Sequence, residues 1–253
     1  MPGPRAEDSG LSDQGSPQSA ALGPQSLTRA AIVVAAGRGT RMGDDKVWLP
    51  LGSLPVVAYS LKAFAAVSAV QRLVLVVSRE GVARGQELVA HLGIPALVCV
   101  GGERRQDSVR NGLDALGDED LVAIHDGARP LVSAKLIEAC YQVAERDGAA
   151  IPAVPVRDTV KRASQDLWVT GTVDRSGLWA VQTPQAFRTE LIRRAYQQLD
   201  RDVTDDAAAV ELLGHPVRIV AGDPWNLKLT VRADMVVAQA LIEEQQRGGQ
   251  GGR

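Results

Sequence analysis

From Arg29 onward the chain alternates short β-branched runs with segments of helical period, and that alternation leaves few folds open. The runs Ala30 to Ala35, Leu73 to Val77, Ala96 to Val100, Leu121 to Ile124 and Ala149 to Val154 are apolar throughout. Strands apolar on both faces need cover on both, which is the condition of a parallel sheet with helices on either side. Val57 to Ala66, Val82 to Leu92, Ser108 to Leu116 and Ala134 to Arg146 read as the covering helices. We therefore expect an α/β fold with a doubly wound, mostly parallel sheet of Rossmann-like winding and about five units. Thr189 to Leu199 and Asp205 to Leu213 add helices, Val217 to Val220 a short strand, and Ala233 to Gln245 a closing helix.

The stretch Val156 to Leu178 breaks the rhythm. Polar residues alternate there with Val160, Trp168, Val169 and Val173, which predicts two strands joined by a turn near Ser164 to Asp166. A lone hairpin is marginal in water, so this arm (156–178) is expected to pack on a second copy of the chain, the other reading being a solvated insertion. Residues 1–28 are rich in Gly, Ser, Pro and Gln and hold Glu7, Asp8 and Asp13 but no apolar block. They are expected to be a disordered tail rather than a targeting signal. Residues 29–246 then form the folded domain, and 247–253, mostly Gly and Gln, a flexible tail.

A formal charge of -2 gives no general positive field for nucleic acid or anionic lipid. No apolar stretch approaches the ~18 residues of a membrane span. Cys99 lies in an apolar run and Cys140 in a helical one, which points to reduced core thiols and a cytosolic setting. The three histidines are scattered, so any metal should be held by oxygen. A small-molecule ligand is the remaining expectation.

Three strand ends could bind it. Ala35-Ala36-Gly37-Arg38-Gly39-Thr40-Arg41 places small residues where backbone N–H groups can approach phosphates, although an ordinary tight turn reads the same way. It lacks both the dinucleotide fingerprint and the Walker pattern, but Arg41 and Lys46 would set cations beside a phosphate chain. Gly101 to Ser108 could offer backbone groups and a hydroxyl to a base or ribose, or simply be a loop capped at Asp107 or Ser108. Asp126, in His125-Asp126-Gly127-Ala128-Arg129-Pro130, ends an apolar strand where a carboxylate can hold Mg²⁺, or pair with Arg129. Lys228, between apolar neighbours, and Arg175, on the arm, are candidate phosphate grips. His125 reads as a satisfied core histidine, and Asp223 as a turn residue.

Together these stretches resemble the 2-C-methyl-D-erythritol 4-phosphate cytidylyltransferase family, a nucleotidyltransferase fold, from about Ala30 to Ile242. The resemblance also runs through Asp158-Thr159-Val160-Lys161, Gln182-Thr183-Pro184-Gln185, Thr204-Asp205-Asp206 and Asn226-Leu227-Lys228. It implies that methylerythritol 4-phosphate attacks the α-phosphorus of CTP with Mg²⁺ present, releasing pyrophosphate. Arg41 and Lys46 would stabilise the transition state, and Arg175 and Lys228 would place the attacking phosphate. Ala35, Ala36, Gly37, Gly39, Gly102 and Ser108 would line the nucleotide. Asp126 would bind the metal near the substrate, with Arg129, Thr159, Thr183 and Thr204 around the polyol phosphate. A homodimer with exchanged arms is implied, Thr159 and Arg175 completing the neighbouring site. Where the family commonly has Pro-Lys-Gln after a longer spacer, this chain has Asp44-Asp45-Lys46-Val47, making Lys46 the counterpart. Three other readings stand beside this one. A ribitol 5-phosphate cytidylyltransferase would share the fold but fits Ala128 and Lys161 less well. A dehydrogenase would need an acid where Ser78-Arg79 stands, and a non-catalytic CTP sensor would not need the cations.

Overall fold

The computed structural model describes residues 3, 27–37 and 46–250. Most of the expected N-terminal tail lies outside these residues, as do Gly39 and Arg41. At the centre of the sheet, β1 (Arg29–Ala35) has a short antiparallel pair after it, β2 (Pro50–Leu51) and β3 (Leu54–Pro55). It runs parallel to β4 (Val70–Val77) on one side and β6 (Leu121–Asp126) on the other, and β5 (Ala96–Val100) extends the sheet beyond β4. Alternate β1 residues feed opposite layers. Ala31, Val33 and Ala35 pack with α1 (Val56–Ala65), α2 (Val82–Leu92) and α4 (Ala134–Asp147). Ala30 and Ile32 pack with α3 (Arg105–Asp114), α5 (Thr189–Gln198) and α6 (Asp206–Leu212). This is the doubly wound arrangement expected from the apolar runs.

The second half of the sheet departs from simple winding. β7 (Ala149–Pro155) does not pair with β6, because β11 (Gln185–Arg188) lies between them, antiparallel to both. β10 (Trp179–Val181) pairs with the far end of the same β7 edge, and β12 (Arg218–Ala221) runs parallel along the other edge. A cis Thr183–Pro184 peptide separates β10 from β11.

The arm is a separate two-stranded sheet, β8 (Val160–Ala163) and β9 (Val169–Val173). Val156 N donates to Leu178 O at 3.1 Å, closing its base at the expected residues, and Ser164 N donates to Trp168 O at the turn. Residues 161–170 are all exposed.

Among the boundaries that move, two concern the site and the C-terminal tail. The third helix begins at Arg105, a turn before Ser108, because Arg104 at its N-cap gives its backbone N–H to the Asp107 carboxylate. Asp107 thus sits in the first turn, and Ser108 is already helical. The closing helix α7 (Arg232–Gln250) continues through Arg247, which pairs with Glu243 one turn back, so the expected break into a tail does not fall there. No described helix is long and apolar enough to cross a membrane.

Candidate active site

The parallel strands β1, β4, β5 and β6 end on one edge of the sheet, and the loops leaving them build the site, as sheets of this class favour. A first lobe, about 590 Å³, is lined by Ala35, Ala36, Gly37, Lys46, Gly102, Ser108 and Lys228 among others. A second, about 690 Å³, is lined by Arg129, Gln182, Thr183, Gln185, Thr204 and Asp205. Arg105, Asp126 and Lys228 line both, so the lobes meet at these three residues.

The first lobe sets small residues from the loops after β1 and β5 against charged side chains such as Lys46, Glu103 and Arg104. Gly102 N donates to Ser108 Oγ at 3.1 Å, fastening the loop after β5 to the start of α3. Side chains have no room there: a Cβ on Gly101 would lie 2.4 Å from Ala36 Cβ, and one on Gly102 2.3 Å from Asp107 Cβ. Lys46 opens a one-turn 3₁₀ helix anchored by buried Val47 and Trp48, and it lines this lobe.

At the seam, Asp126 Oδ1 accepts from Arg105 Nε at 3.0 Å and Oδ2 from Lys228 Nζ at 2.7 Å. Burial alone would raise this carboxyl, but the charges of Arg105 and then Lys228 hold it well below the ordinary carboxylate range. Behind Arg105, Asp206 receives both terminal nitrogens at 3.0 and 2.8 Å, and Tyr196 donates to Asp206 at 2.6 Å. The expected alternative, an Asp126 to Arg129 ion pair, is replaced by these contacts. Arg129 instead donates to Asn226 O at 2.7 Å, tying the segment before Lys228 to the end of β6. Leu229 N adds a bond to Ala128 O at 2.8 Å.

The second lobe rests on a chain of hydrogen bonds. Asp126 N donates to Thr183 Oγ1 at 3.0 Å, and Thr183 Oγ1 lies 3.1 Å from His125 Nδ1. His125 Nε2 lies 3.1 Å from Arg129 O, which can only accept, so the proton belongs on Nε2 and Nδ1 accepts from the threonine. Burial lowers the His125 pKa to about 4, keeping the ring neutral. The core-histidine reading holds, with the addition that this core supports the site.

Residues 29–244 match the family described as 2-C-methyl-D-erythritol 4-phosphate cytidylyltransferase. A protein of that name from Pelotomaculum thermopropionicum is 49% identical over 86% of this chain and 95% of its own length. One from Geobacillus kaustophilus is 47% identical over 84% and 96%. The chain belongs to the 2-C-methyl-D-erythritol 4-phosphate cytidylyltransferase family. Its fold agrees: the crystal structure of the Thermus thermophilus protein of the same name has a TM-score of 0.72, with 31% identity and coverage of 84% and 98%.

Of the residues that resemblance to this family singled out, Ala35, Ala36, Gly37, Lys46, Gly102, Ser108, Asp126, Arg129, Thr183, Thr204 and Lys228 gather in the two lobes. Thr159 and Arg175 do not; both are exposed on the arm and line neither lobe. Sequence reasoning missed Arg105, Asp206 and Tyr196 as a unit. One signal for Arg105 was available, since a cation in the first turn of a helix opposes the helix dipole and calls for carboxylates nearby.

Proposed function

We propose that this chain transfers the cytidylyl group of CTP to 2-C-methyl-D-erythritol 4-phosphate in the non-mevalonate route to isoprenoid precursors. The products are 4-diphosphocytidyl-2-C-methyl-D-erythritol and pyrophosphate. The observation that carries the reading is the shared seam: with CTP in the first lobe and the polyol phosphate in the second, the reacting phosphates meet beside Arg105, Asp126 and Lys228.

The acceptor's phosphate oxygen attacks the α-phosphorus, and the bond to pyrophosphate breaks as the new P–O bond forms. An ionised phosphate needs no base, so the protein's work is to place the partners and offset charge. Lys46 on the first lobe and Lys228 at the seam supply cations to the crowded oxygens. Arg41, outside the described residues, is assigned the same task by resemblance alone.

Among the described residues no three acids or histidines form a metal cage. Asp126 would hold Mg²⁺ carried by the triphosphate, giving up one of its two cation partners to do so. Bound there, Mg²⁺ would supply Lewis-acid charge neutralisation.

The arm points to a homodimer. Leu167, Trp168 and Val169 are exposed, Trp168 by 76%, and burying them on a second copy would carry Thr159 and Arg175 toward that copy's cleft. Free thiols at Cys99 and Cys140 agree with a cytosolic setting.

Pyrophosphate release from CTP and Mg²⁺, with methylerythritol 4-phosphate and ribitol 5-phosphate side by side, tests the reaction. Turnover with the first alone is expected. Turnover with ribitol 5-phosphate alone would reassign the acceptor, and CTP binding without turnover would leave a sensor. An active monomer by light scattering at assay concentration would remove arm exchange.

A further inference from the structure

The two cations on Asp126 are not held alike. Arg105 is clamped from behind by both oxygens of Asp206, which is 0% exposed and takes a third hydrogen bond from Tyr196. Lys228 has Asp126 as its one ion pair among the described residues, and its side chain is 40% exposed. A phosphate dianion arriving at the seam draws on one of them. Drawing off Arg105 would strand the buried Asp206 charge, whereas drawing off Lys228 breaks one pair at the edge of the cleft. Burial disfavours the Arg105 charge, but Asp206 and then Asp126 more than offset it, so this guanidinium stays with its carboxylates.

We propose that Asp206 is a positioning residue: acting through Arg105, it fixes Asp126 at the seam so that Lys228 is the cation that changes partners when the acceptor phosphate arrives. Asp126 then keeps Arg105 on Oδ1 and frees Oδ2, the oxygen that would take Mg²⁺. Asp206 lines neither lobe, and both of its carboxylate oxygens reach the seam through Arg105. This rests on the cytidylyl-transfer reading and specifies which side chain the acceptor takes.

The test compares full-length wild type, Asp206→Asn, Arg105→Lys and the double variant by pyrophosphate release with each substrate varied, and CTP affinity by calorimetry. Asp206→Asn should lower kcat roughly tenfold and raise the acceptor KM, with CTP affinity within about twofold. In the Arg105→Lys background the same change should cost less than about twofold, because the two residues act as one unit. A kcat for Asp206→Asn within twofold of wild type, or effects that multiply, would overturn the proposal. Should Asp206→Asn fail to fold by circular dichroism, Tyr196→Phe replaces it. It removes a single hydroxyl and should lower kcat a few-fold without weakening CTP; an unchanged kcat overturns the proposal equally. A wild type silent with every acceptor overturns the reading beneath it, and both fall together. An active wild type with an insensitive Asp206→Asn removes only this inference.

Discussion

The two lobes are built on opposite plans. The first takes part of its wall from small residues, Ala35, Ala36, Gly37 and Gly102, so that part of its shape depends on atoms that are absent. The second is walled by Arg129, Gln182, Thr183, Gln185, Thr204 and Asp205, several of them joined by hydrogen bonds across long stretches of chain. A cleft of the first kind is damaged by adding atoms, and one of the second kind by removing them.

Lys228 stands where the plans meet, and Lys228→Ala should have the largest effect. It removes a seam cation and leaves buried Asp126 with Arg105 alone. We expect kcat to fall on the order of 10³-fold in the pyrophosphate assay; a loss under tenfold would mean that the reacting phosphates do not meet at this seam.

Acid should strike the second lobe next. His125 stays neutral in the folded chain down to about pH 4, whereas the unfolded chain takes up the proton below ~6.5. The unfolded state therefore binds more protons within that window, and stability falls as pH drops through it, by at most roughly 3 kcal/mol. Above the window this contribution is fully present. Urea midpoints at pH 7.5 and 5 measure the loss, and an NMR titration in which His125 protonates near its ordinary value would refute the cause.

Gly102→Ala tests damage by addition. Its Cβ would meet Asp107 Cβ at 2.3 Å and backbone at 3.2 Å, so the loop after β5 must shift. The KM for CTP should rise roughly thirtyfold while the acceptor KM barely moves, as expected when displaced backbone costs alignment. Equal rises in both would erase the distinction between the lobes.

Thr183→Val tests damage by removal and should be mildest. It takes the acceptor from Asp126 N and the donor from His125. The acceptor KM should rise about fivefold, the usual scale of one hydrogen-bonding group, with CTP unaffected. A selective loss for CTP would place Thr183 in the wrong lobe.

The same contrast explains what could be read before the structure. Small-residue motifs are contiguous, so Ala35 to Gly37 and Gly101 to Ser108 stood out in the sequence, and β5 and α2 fall on their expected bounds. The arm was legible because its alternation changes period. β10 and β11 were not, being short strands with Pro184 between them and no helical segment to set them apart. What makes Gln185 to Arg188 a strand is the gap between β6 and β7 that it fills. Arg105 and Asp206 lie 101 positions apart, and no local pattern encodes a pair made by tertiary packing. Lys46 was legible as a residue but not as a reach, since its place depends on Val47 and Trp48 being buried beneath it.

The insertion of β11 between β6 and β7 also bears on how the chain is made. Synthesis delivers β6, α4 and β7 in order, yet the two strands cannot become sheet neighbours, because the ribosome has not yet produced the strand that separates them. Facing edges of β6 and β7 must wait, unpaired, while the whole arm emerges. Unpaired edges invite strands from other chains. The arm's length therefore sets how long a nascent chain stays vulnerable to misassembly, a cost borne during translation and invisible in the finished sheet.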